Sequence, residues 1–140
     1  MEQNSDCMTR RSDDMAAIRK LAMDWSAGWD SGNVDALLSL FAEEPVLMPL
    51  DLPIVIGKSA IRSLYRSLFK EYIIRGKGKV VEADASGNLR YIWNSYSLTT
   101  TPKTNGVPTT SKGKSLFIVR RQSDSSWKIA RLIDNSDGNA

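Results

Sequence analysis

The chain contains no histidine. That excludes Ser-His-Asp and Cys-His nucleophilic sites, His-ligated zinc and two-His iron triads. Any general acid or base must be Asp, Glu, Tyr, Lys or a chain terminus. There is one cysteine, Cys7, so no disulfide can close within the chain, which fits a reducing compartment. No apolar run approaches the roughly 18 residues of a membrane span. The opening MEQNSDCMTRRSDD lacks the apolar core of a secretory signal. The expectation is a cytoplasmic protein with no membrane contact. Net charge is small as well: 19 Lys plus Arg against 16 Asp plus Glu leaves +3. Such a weak field does not suit nucleic acid, whose binding rests on neutralising many phosphates.

What remains is an ordinary globular composition, 41% hydrophobic and 25% charged over 140 residues. That is the size of one domain, able to bury a core without disulfide or metal. The last third carries the strongest pattern. Residues 89–101, 112–122 and 127–137 are rich in β-branched and aromatic side chains, which suit a half-buried pleated surface. Turn chemistry bounds each of them: DASGN before the first, PKTNGVP between the first two, SDSS before the third. They predict three antiparallel strands joined by hairpins.

Upstream, residues 1–11 read as a disordered tail, and a single domain spans 12–137. Ser12, with Asp13 and Asp14 after it, predicts a helix cap with acids in the first turn. The helix runs to Ser31 on the stripe Met15, Ile18, Leu21, Ala22, Trp25, Trp29. Asn33 caps a second helix over 34–42, which Pro45 ends. Short strands follow at 46–49 and 54–57, separated by the loop Leu50 to Pro53. A third helix opens at Gly57-Lys58-Ser59 on the stripe Ile61, Leu64, Tyr65, Leu68, Tyr72. Residues 73–83 predict a strand with a bulge or bend at Gly76 and Gly78. The order predicts an α+β fold: a cone-shaped, curved, mixed or antiparallel sheet covered by three N-terminal helices. Such a cone holds a tapered apolar cavity, the default ligand site.

Three stretches, WSAGWDSGNVDALLSLFAEEPVLMP, GKSAIRSLYRSLF and VRRQSDSSWKIARLIDNSD, resemble the SnoaL-like, ketosteroid-isomerase-like branch of the nuclear transport factor 2-like superfamily. The resemblance covers Met15 to Asp137. It implies a cone-shaped, cystatin-like barrel, a homodimer through the sheet, and a cofactor-independent pocket without metal. Members include isomerases, polyketide cyclases, dehydratases, epoxide hydrolases and plain binding modules. The positions that carry the steroid isomerase groups correspond to Trp25, to Pro49 with Asp51 two residues on, and to Leu116 or Phe117, so the usual acid and base are replaced. Where the subfamily commonly ends WKIARDIWNSD, this chain has Leu132 for the aspartate and Asp134 for the tryptophan. If that tryptophan site faces the pocket, Asp134 sets a carboxylate in an apolar hollow, where burial raises its pKa.

The candidate catalytic residues are therefore Asp134, Asp51 and Tyr96. Asp134 is either a pocket acid or base, or a solvent-facing residue at a strand end. Asp51 is either a base at the cavity mouth or a turn former. Trp25, Trp29, Met48, Tyr65, Ile92, Asn94 and Phe117 are the candidate substrate-binding residues, or simply core. Alternation along 89–101 puts Ile92, Asn94 and Tyr96 on the inner face and Trp93 outside, in a dimer interface. The stripe Lys58, Arg62, Arg66, Lys70 reads as a solvated helix face. The expected partner is a small apolar or polyketide-like ligand. The expected activity is acid/base catalysis of isomerase, cyclase, dehydratase or epoxide-opening type, the alternative being a non-catalytic binding or dimerisation domain.

Overall fold

The computed structural model describes residues 2–83 and 88–138, with side chains from Ser12 onward. The turn read at DASGN falls outside them apart from Asn88. The chain runs α1 (Glu2–Ser31), α2 (Val34–Leu38), β1 (Phe41–Met48), β2 (Val55–Ile56), α3 (Lys58–Glu71), β3 (Tyr72–Ala83), β4 (Leu89–Pro102), β5 (Thr109–Arg121) and β6 (Trp127–Ser136). The strands form one sheet in the order β2-β1-β6-β5-β4-β3. Among the described residues only β1 and β6 pair in parallel, so the sheet is mixed and the fold is α+β.

Three expectations about element bounds are corrected. The first helix begins at Glu2, not at a cap on Ser12, because neither Gly nor Pro interrupts the sequence before Gly28. Asp14 is consequently a mid-helix residue. The second helix stops at Leu38, and Phe41 and Ala42 open β1. An apolar pair fits either element locally; the parallel pairing of Phe41 with Ile129 decides for the strand. Pro45 lies inside β1, where the register shifts between Phe41 and Val46. A bulge tolerates the missing N–H there. Asn33 does cap α2, its side chain accepting from Ala36 N at 3.0 Å.

The glycines of β3 carry no bulge. Pairing with β4 runs unbroken from Tyr72 to Val80, and the shift comes at Val81. Instead Gly76 makes room for the Leu98 side chain of β4, and Gly78 admits Ser26 of α1. A Cβ at Gly76 would overlap the Leu98 side chain, and one at Gly78 would lie 3.2 Å from Ser26 Oγ. The Asp30 carboxylate accepts from Gly76 N at 2.8 Å, tying the last turn of α1 to the strand.

The core fills the narrow end of the cone. Ile18, Leu37, Phe41, Ile61, Ile92, Phe117, Ile129 and Leu132 are buried there. At the closed end Asp14 holds α1 against the sheet. Arg121 donates to Asp14 Oδ2, Arg90 Nη2 lies 3.6 Å from the same oxygen, and Trp127 Nε1 donates to Oδ1 at 3.4 Å. The two guanidinium groups lie over the Trp127 ring, 5.1 and 4.9 Å from its centroid, a cation–π arrangement that suits arginine. No helix among the described residues is long and apolar enough to cross a membrane.

Candidate functional site

The strand register builds the site row by row. Ile92, Phe117 and Leu132 lie side by side across β4, β5 and β6 and form an apolar floor. Two residues further along, on the same face, Asn94, Ser115 and Asp134 form a polar row. Next come Tyr96, Gly113 and Ser136. Trp25 closes the floor from above. Its ring makes edge contacts with Trp29, Phe41, Tyr65 and Phe117 at centroid distances of 5.8, 5.8, 6.3 and 5.4 Å. Below that plug no room for a ligand remains. Above it the cone opens into a cavity of about 310 Å³, at the small end of ligand pockets. Its wall takes the upper face of Trp25 and Trp29, Leu64, Tyr65 and Leu68 from α3, and the polar row of the sheet.

Asp134 is on that wall. Burial pushes its carboxyl pKa upward, against a smaller lowering by Ser115, whose hydroxyl donates to Oδ1 at 2.5 Å. Tyr65 and Tyr96 share the cavity. Burial, then the nearby Asp134 charge, raises the Tyr65 phenol well above its ordinary value. The same causes, with Asp137 last, push Tyr96 up to about 12. Both hydroxyls stay protonated at neutral pH and serve as donors. Gly113 makes this arrangement possible, since a Cβ there would overlap both the Tyr96 hydroxyl and the Asn135 carbonyl oxygen. Any side chain at this position would push Tyr96 off β5.

Asn94 is 6% exposed, and its Oδ1 is buried without a hydrogen-bond partner among the described residues. Trp25, Trp29, Tyr65, Asn94, Tyr96 and Asp134 thus meet at one cavity. The remaining candidates do not. Ile92 and Phe117 belong to the packed floor, because the cone narrows there. Met48 pairs with Ile133 on the outer face, and Leu47, beside Leu132, takes its place on the wall. The bulge in β1 sets that parity. Asp51 is exposed in a left-handed turn, φ 57°, and is absent from the wall. Among the described residues no cluster of acids or cysteines could hold a metal ion.

Ser115 and Gly113 are site residues that strand alternation from Phe117 makes available. Asp14 could have been found by extending the buried stripe of α1 back one turn from Ile18. Trp93, with Leu116 and Ile133, lies on the opposite, convex face. There Trp93 Nε1 and Tyr91 Oη donate to Glu82 at 3.0 and 2.7 Å.

No family model matches the sequence. No curated protein matches it either. The fold, by contrast, matches many solved structures. A ketosteroid isomerase-like protein from Erwinia carotovora superposes with a TM-score of 0.83 at 22% identity, covering 89% of this chain and 96% of that one. A nuclear transport factor 2-like protein with a cystatin-like fold from Novosphingobium aromaticivorans gives 0.81 at 19%, covering 99% and 92%. A hexachlorocyclohexane dehydrochlorinase gives 0.82 at 15%, covering 91% and 88%. At these identities the likeness is one of architecture: the chain has the α+β fold of these nuclear transport factor 2-like and ketosteroid isomerase-like structures.

Proposed function

We propose that the chain is a cofactor-independent cytoplasmic enzyme that moves a proton on a mostly apolar small molecule, with Asp134 as the acid or base. Isomerisation, cyclisation, dehydration and epoxide opening all fit such a site. The observation that carries this reading is the Asp134 carboxyl on an apolar cavity wall, its pKa raised by burial. A buried carboxylate is a stronger base than a solvated one, and poised nearer neutral pH. Ser115 holds one oxygen; Tyr65 and Tyr96 stand as donors for oxyanion charge that develops on the substrate. The solved neighbours described as an isomerase-like protein and a dehydrochlorinase run in the same direction.

A probe reaction tests it without the natural substrate. A base removes the C–H proton of 5-nitrobenzisoxazole. The N–O bond then breaks, giving a nitrile and a coloured phenolate, so the assay reads proton abstraction directly. The native protein is expected to accelerate ring opening and the Asp134→Asn protein is not. Equal rates for the two would favour the second reading, a non-catalytic ligand-binding domain. That reading draws on Trp25, Pro49 and Phe117, which bring no carboxylate to the usual acid and base positions.

The proposed assembly is a homodimer through the convex sheet face. Leu116 and Ile133 are 38% and 41% exposed there, beside Trp93, and a contiguous apolar row is a common pairing surface. Light scattering at micromolar concentration is expected to give the mass of two chains, and Leu116→Lys the mass of one. A native protein that runs as one chain would remove the dimer.

A further inference from the structure

We infer that the cavity takes an elongated amphipathic molecule: a flat, polar head seated beside Asp134, and an uncharged aliphatic tail running out along Leu68, Ile74 and Leu98 to the mouth. Only the choice of which end reacts rests on the proposed enzyme reading. The wall is long. Asn94, Ser115 and Asp134 form its inner row, and Leu98 with Ser111, paired in register, forms a row four residues further along β4 and β5. That stretch of strand spans roughly 13 Å. The helix above runs the same way. Tyr65 meets Trp25 at the plug, and Tyr72, just past the end of α3, opens β3 at the outer end, opposite Pro102. A single ring beside Asp134 covers the inner part of this wall and leaves the outer part bare.

The two halves differ in character. Trp25, Trp29 and Tyr65 surround the inner half, where Asp134 and Tyr96 bring polar groups; this suits a flat ring bearing an oxygen. Leu68, Ile74 and Leu98 make the outer half aliphatic. Beyond β6 stand Leu50 and Leu52. Because β1 runs parallel to β6, the chain after Met48 climbs past the level of Asp134 before it returns to pair Val55 with Leu47. Leu50 and Leu52 line the cavity yet are 38% and 49% exposed, apolar surface that a tail removes from water. Among the described residues the wall carries two charged ones, Asp134 and Lys77. Lys77 lies between Gly76 and Gly78, and a Cβ on Gly78 would point at Ser26 of α1, so strand alternation turns the lysine side chain to the convex side. The outer half therefore offers a tail no counter-charge. The tail points outward because no room remains below Trp25.

The test compares 2-naphthol with 6-hexyl-2-naphthol, which share a head and differ only in the tail. Binding is read by calorimetry in the native protein, in Ser111→Trp and in Asp134→Asn. Each buried methylene tightens binding about fourfold, so the native protein is expected to prefer the hexyl compound by about a hundredfold or more. Ser111 is exposed on the outer wall beside Leu98, so an indole there fits the fold and occupies the path of the tail. Ser111→Trp is expected to cut the preference to about tenfold or less, the loss of two or more methylenes' worth of burial. Asp134→Asn is expected to keep the preference while losing the ring opening of 5-nitrobenzisoxazole. Equal affinity of the native protein for the two compounds, or no binding of either, would overturn the inference, and this arm needs no variant to fold. A preference that Ser111→Trp leaves intact would place the tail elsewhere and overturn it equally. The enzyme reading stands or falls separately, on ring opening alone.

Discussion

Replacing Asp14 by alanine is expected to lower stability by about 3–5 kcal/mol, the usual effect of removing one partner from a buried ion pair. The side chains of Asp14, Arg90 and Arg121 are 11%, 5% and 23% exposed. Without the carboxylate, Arg121 loses the acceptor to which it donates, and Arg90 loses a negative charge 3.6 Å away, with both guanidinium groups still against Trp127. Like charges in a region that water reaches poorly cannot be relieved by screening. The Trp127 N–H loses its acceptor in the same substitution. Urea denaturation of the native and Asp14→Ala proteins checks the effect. A loss below about 1 kcal/mol, the range of exposed pairs, would mean that the cluster is solvated and does not anchor α1. The surface pair Lys20–Asp24, 72% and 43% exposed, provides the internal comparison, and its removal is expected to fall within that lower range.

The second large effect is that of Asp134→Asn on proton abstraction. The ring-opening rate is expected to fall by about a hundredfold or more, the scale of a positioned general base. In the native protein the rate should rise with pH as the carboxyl ionises, and level off once it has. Because burial raises the pKa, that rise is displaced upward from the ordinary carboxylate range. The same shift has a consequence for folding. A carboxyl with a higher pKa in the folded than in the unfolded chain stabilises the fold fully below the unfolded value. That contribution is lost as pH rises through the folded value. At neutral pH the native protein therefore carries a buried charge that the asparagine variant lacks. Asp134→Asn is expected to be the more stable protein at neutral pH, the difference vanishing in acid. Higher stability with lower activity is the signature of a side chain kept for function.

Much of the architecture is legible in the sequence because its signals are local. The hairpins of β4 to β6 announce themselves through turn residues, and the buried stripes of α1 and α3 through helical spacing. The errors fall where distant pairing decides. Phe41 and Ala42 suit a helix or a strand equally, and only Ile129, far along the chain, settles which. From there the bulge around Pro45 exchanges Leu47 for Met48 on the cavity wall. Gly76 and Gly78 look like strand irregularities but make room for Leu98 of β4 and Ser26 of α1, tertiary contacts with no local trace. The position of Asp134 comes from a resemblance at one residue. Its surroundings come from register: Ser115 beside it and Gly113 beneath Tyr96 follow once Phe117 is placed on the inner face. That Asn94 Oδ1 lacks a partner is beyond any sequence argument, since it depends on three strands and two helices closing around it.

The most direct measurement is an NMR titration of the Asp134 carboxyl carbon against pH, with and without 2-naphthol in the cavity. The account predicts a midpoint above the ordinary aspartate range in the free protein, and a further rise when the ligand displaces water from the wall. A midpoint within the ordinary range that the ligand does not move would place this carboxyl in solvent and contradict the account.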